Sequence, residues 1–89
     1  MAELTIGWLL ADGSARLREA GSESARLDAE LLLGHILGLG RAGLMAHPEV
    51  AVSAAQAARF TELLDRRAAG EPVAYILSLI HISEPTRPY

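Results

Sequence analysis

The chain has 89 residues, 51% of them hydrophobic, 21% charged and 4% aromatic, with no cysteine and a formal net charge of −3. A chain this short buries only about 60% of the surface its unfolded form exposes, so it holds one small domain and has no room for a complete Rossmann-type cofactor domain. Every one of its eight basic residues is Arg and none belongs to a basic run, which argues against phosphate-backbone binding; no nucleic-acid partner is expected.

The lack of cysteine removes a disulfide framework and any thiolate zinc site and points to a reducing compartment, the cytoplasm by default. The longest strongly apolar stretch, residues 31–39, is interrupted by Gly34, His35 and Gly38. It falls far short of the roughly 18 to 20 residues of a membrane helix, and the N-terminus lacks the positive region of a signal peptide. No membrane association is expected.

Apolar residues recur at helical spacing through most of the chain. Ile6, Leu9, Leu10, Gly13, Leu17 and Ala20 form the first stripe, with Thr5 as N-cap and Gly21 as stop. Gly7 and Gly13 each weaken that helix by up to about 1 kcal/mol relative to Ala, so it depends on packing. The second helix runs from about Ser24 to Leu37. At 100° per residue Ala25, Ala29, Leu32, Leu33 and Ile36 share one face and Leu27 and Leu31 nearly the opposite one, which predicts a central helix packed on both flanks. Two polar strips remain between these faces: Arg26 with Glu30, an i, i+4 pair, and Asp28 with His35, which reads as a solvated or partner-contacting strip.

Gly38 and Gly40 end the second helix, and residues 41–46 can form a short third one before Pro48 turns the chain. Ser53 and Gln56 form a capping box for a long helix with an apolar stripe of Ala57, Phe60, Leu64 and Ala68, flanked by Leu63. Its wet face carries Arg59, Glu62 and Arg66, and it stops near Gly70. Residues 72–76 have the β-branched and aromatic character of a strand with no pairing partner in the rest of the chain. The fold class is therefore all-α: a small helical bundle of three long helices plus a short one, ending in an orphan strand and an irregular tail.

Few residues suggest chemistry. Residues 38–43 spell G-x-G-x-x-G, but dinucleotide binding by that motif needs a strand before it and a helix N-terminus after it; here the glycines read as helix stops. Asp28 and His35 lie about 10 Å apart along a helix axis, too far for one hydrogen bond. No catalytic arrangement and no metal-ligand cluster stands out, so no catalytic, cofactor-binding or metal residue is expected.

The run Ala25-Arg26-Leu27-Asp28-Ala29-Glu30-Leu31-Leu32-Leu33-Gly34-His35, the Leu39-Gly40-Arg41 turn and the run from Arg66 to Ile76 containing Gly70-Glu71-Pro72 together resemble the N-terminal domain of the peptide chain release factor N5-glutamine methyltransferases, over about residues 4–76. The resemblance implies a helical bundle, residues 1–70, that holds the protein substrate, followed at 71–76 by the start of an interdomain hairpin. It also implies a separate S-adenosylmethionine-binding domain that methylates the glutamine of the Gly-Gly-Gln loop of class 1 release factors. Neither the glycine-rich cofactor loop nor the Asn-Pro-Pro-Tyr motif of that domain occurs here, so the resemblance implies that this chain is the recognition end, cut off before the catalytic domain. Residues 77–89 resemble a translated sequencing adapter rather than family sequence. Asp28, His35, Arg59, Glu62 and Arg66 are the candidates for contact with the protein substrate. Two other readings stand beside this one: the same domain from an enzyme that modifies a ribosomal protein, and a free-standing helical interaction module.

Overall fold

The computed structural model describes residues 4–82, with side chains described through Leu77. Five helices follow in order: α1 (Ile6–Glu19), α2 (Ala25–Leu37), α3 (Arg41–Ala46), α4 (Ala54–Ala68) and α5 (Val73–Ile82). Among the described residues there is no strand; a single bridge joins Thr5 to Ala51.

α1 begins where its orphan N–H groups find acceptors outside the helix. The Thr5 hydroxyl accepts from the Trp8 N–H at 3.1 Å, while the Ile6 and Gly7 N–H groups donate to the carbonyls of Val50 and Pro48 at 3.0 and 2.8 Å. The loop between α3 and α4 is thereby tied to the start of the chain. Along α1, Ile6, Leu9, Leu10 and Leu17 face the core. Gly13 has a packing role: a Cβ there would stand 2.9 Å from the Phe60 ring, so the missing side chain lets α4 seat its phenylalanine against α1.

α2 is central and touches every other helix. Ala25, Ala29, Leu32 and Leu33 are buried, and Gly38 ends the helix in the left-handed conformation at φ +71°, donating its N–H to the Gly34 carbonyl. The Leu39 N–H donates to the same carbonyl at 2.9 Å. Gly34 permits this tight return, because a Cβ there would lie 2.5 Å from the Leu39 oxygen. The expectation that helices cover both flanks of α2 is corrected: Leu27 and Leu31 remain 39% and 38% exposed.

α3 contributes Leu44 to the core. α4 starts at Ser53, whose hydroxyl accepts from the Gln56 N–H at 3.1 Å, and the Gln56 side-chain oxygen takes a hydrogen bond from that hydroxyl at 3.2 Å. Ala57, Phe60, Leu63 and Leu64 form its buried stripe, while Ala68, placed in the stripe by spacing, is exposed at the helix end.

The orphan strand is also corrected. Residues 73–76 open α5, and 77–82 continue it rather than forming an irregular tail; residues 83–89 lie outside the described residues. A strand without a partner leaves its N–H and C=O groups unpaired, whereas a helix satisfies its own. Pro72, whose fixed φ suits a helix start, accepts from the Tyr75 and Ile76 N–H groups at 3.1 and 3.0 Å. Ile76 then enters the core, at 1% exposure.

Candidate functional site

The five candidate residues separate into those the fold uses for itself and those it presents outward. Asp28 belongs to the first group, against the expectation of a solvated strip. Its carboxylate accepts from the Ser22 hydroxyl at 2.9 Å, from the Ser24 hydroxyl at 3.2 Å and from Arg67 Nε at 2.9 Å. The last contact spans 39 residues and fastens the start of α2 to the end of α4. Arg66 is taken up locally, its Nη1 lying 3.0 Å from a Glu71 oxygen.

His35 and Arg59 are brought together. They face, with Ile36, Ala55 and Gln56, an open cleft of about 370 Å³ between the last turns of α2 and the first turns of α4. Glu62 borders a neighbouring depression that Arg59 shares with Ala55, Ala58, Thr61 and Asp65. The carboxylate of Asp28 and the imidazole of His35 thus serve different ends of α2, and no acid–base pair forms from them.

Sequence reading missed a second buried carboxylate. Glu30 has a fully buried side chain, yet Arg26 Nε at 2.9 Å and Arg41 Nε at 2.6 Å reach its two oxygens from half-exposed side chains. Burial opposes ionisation of Glu30, but the hydrogen bonds and charges of the two arginines outweigh it and hold its carboxyl below the usual glutamate range. The Arg26–Glu30 step was visible as an i, i+4 pair; Arg41, arriving from α3, had no signal in the spacing.

The G-x-G-x-x-G stretch has the geometry of a helix junction. Gly38 caps α2, Gly40 precedes α3 in extended conformation, and the Cβ position of Gly43 meets the Leu39 side chain at 3.4 Å. A helix stands where a dinucleotide cradle needs a strand. Among the described residues no three His, Cys, Asp or Glu side chains gather as metal ligands, and no helix is long and apolar enough to cross a membrane. What the described surface offers is an open cleft with Arg59 among its lining residues.

A family model described as the PrmC N-terminal domain matches residues 9–77. A release factor glutamine methyltransferase of Bradyrhizobium diazoefficiens is 50% identical over 64 residues, covering 72% of this chain and 22% of that protein. The protein of the same name from Aliivibrio fischeri is 43% identical over 74 residues, covering 83% of this chain and 26% of that protein. The chain thus spans about a quarter of the length of the curated relatives it matches. No solved structure matches it significantly. With the match reaching from the middle of the first stripe in α1, through both buried carboxylates of α2, to the core residue Ile76, the chain belongs to the PrmC N-terminal domain family.

Proposed function

We propose that this chain is the release-factor-recognition domain of a protein-glutamine N5-methyltransferase, working in the cytoplasm at translation termination. The observation that carries the reading is the match to the PrmC N-terminal domain across residues 9–77, supported by relatives named release factor glutamine methyltransferases. The recognition bundle is assigned to residues 1–70, with Ile76 of α5 completing its core, and the partner is a class 1 release factor.

S-adenosylmethionine is the methyl donor of the whole enzyme in this reading, but the residues present here do not fit it. The one glycine-rich stretch is used up in capping α2 and starting α3, and no methyl-transfer step is assigned to this chain. Its task is to hold the substrate protein, which needs a presented surface rather than a nucleophile or base. Of the candidates, His35, Arg59 and Glu62 are assigned that contact in this reading, while Asp28 and Arg66 make ion pairs within the fold.

Isothermal titration of this chain with a purified class 1 release factor tests the reading. Saturable binding with one-to-one stoichiometry is expected. No heat above dilution at two temperatures with release factor at about 100 μM, which excludes a binding enthalpy that happens to be zero at one of them, would overturn it.

A further inference from the structure

The outer face of α4 carries two adjoining depressions. Ala55 and Arg59 belong to both: with His35, Ile36 and Gln56 they line the α2–α4 cleft, and further along the helix they share a second hollow with Glu62 and Asp65. Between the charged groups the floor is small. Ala55 and Ala58 end at Cβ, and the Thr61 hydroxyl is turned back onto its own helix, donating to the Ala57 carbonyl at 3.1 Å. Another backbone can therefore come close to this face.

The fold leaves the charges on this face open. Arg59 stands three residues before Glu62, the order in which a helical ion pair is the weaker one. Glu62 has its favourably ordered partner at i+4 in Arg66, but Arg66 Nη1 goes to Glu71 at 3.0 Å; Asp65 has Ala69 at that position. Among the described residues Arg59, Glu62 and Asp65 make no ion pair, whereas Arg16, Arg26, Arg41, Arg66 and Arg67 all do. Arg59, Glu62 and Asp65 together bring one positive and two negative charges to the second hollow. Neither a wholly acidic nor a wholly basic partner complements such a face, and a partner carrying both signs does.

We propose that the two depressions form one docking surface for a segment of a protein partner that presents an acidic side chain to Arg59 and a basic side chain to Glu62 and Asp65. At 1.5 Å per residue, Glu62 and Asp65 lie about 4.5 and 9 Å beyond Arg59 along α4, which sets the spacing of the opposite charges on the segment. Its backbone passes over Ala55, Ala58 and Thr61. The proposal rests on the recognition-domain reading and names the surface and the partner chemistry through which it operates.

Titration calorimetry with a class 1 release factor, at two temperatures, compares the unsubstituted chain with Arg59→Glu and with the pair Glu62→Lys/Asp65→Lys. Arg18→Glu and the pair Glu19→Lys/Glu23→Lys are controls that change the net charge equally at exposed positions outside both depressions. Each α4 variant is expected to weaken binding about tenfold or more, and each control to stay within about twofold. Loss in both α4 variants marks a partner with both signs. Loss in only one, with the other unchanged or tighter, assigns a partner of one sign and overturns the proposal. Unchanged binding in both, or losses that the controls match, also overturns it and leaves the recognition reading standing. No binding by the unsubstituted chain overturns that reading and this surface with it. Urea unfolding checks that each variant keeps its fold, and the neutral variants Arg59→Gln and Glu62→Gln/Asp65→Asn repeat the test if a reversed charge unfolds the chain.

Discussion

Along α4 the buried positions are all apolar, Ala57, Phe60, Leu63 and Leu64, and Arg59, Glu62 and Arg66 stay in water. Along α2 two carboxylates go inside, Asp28 and Glu30, while two leucines stay out. The two helices differ in what they must hold. α4 closes one side of the core and needs a single apolar stripe. α2 touches all four other helices, and its two carboxylates reach other parts of the chain: the end of α4 from Asp28 near its start, and the start of α3 from Glu30 in its middle. A carboxylate with guanidinium partners fixes such junctions directionally, where leucine contacts tolerate sliding. The leucines displaced from that role stay partly at the surface.

The contrast can be broken most forcefully at its apolar end. Phe60, fully buried and seated over Gly13, is expected to cost about 3–5 kcal/mol on replacement by Ala, read as a lowered urea midpoint. Asp28→Ala comes next, at about 2–3 kcal/mol, because it strands Arg67 and removes the acceptor for two serine hydroxyls. Gly13→Ala is expected to cost about 1–2 kcal/mol despite the better helix propensity of Ala, since its Cβ would meet the Phe60 ring at 2.9 Å. A stabilised Gly13→Ala variant in thermal unfolding would show that α1 and α4 are less closely apposed.

Glu30 gives the comparison a pH dependence. Its folded-state pKa is depressed, so the stability it contributes is present above its unfolded value of about 4.3 and is lost as pH falls through the lower folded value. The stability gap between the unsubstituted chain and Glu30→Gln, measured in urea, is therefore expected to narrow between about pH 5 and pH 3. A gap that is constant over that range would remove the two arginines as the source of Glu30's ionisation.

Most of the fold was legible in local signals. The Thr5 and Ser53 caps, the Gly38 stop, the 41–46 helix and the α4 stripe follow from chemistry within four residues, which spacing reports directly. α5 was not legible because β-branched and aromatic letters favour strands only when a partner strand exists, and tertiary packing of Ile76 decided otherwise. The interior of α2 escaped for a related reason: Asp28 and Glu30 read as polar until Arg67 and Arg41 arrive from 39 and 11 residues away. Of the candidate site, spacing correctly put Arg59 and Glu62 on a wet face, and only the antiparallel approach of α4 to α2 could bring Arg59 to His35.

The smallest expected effect lies on the open face, where Leu31→Ala costs about 1 kcal/mol, because more than a third of the residue is already exposed. Set beside Asp28→Ala, it supplies the most direct measurement: urea unfolding of the two variants under identical conditions. Polar anchoring of α2 predicts that loss of the aspartate lowers stability by at least about 1 kcal/mol more than loss of the leucine. A leucine variant as unstable as the aspartate variant, or more so, would contradict it and return Leu31 to the core.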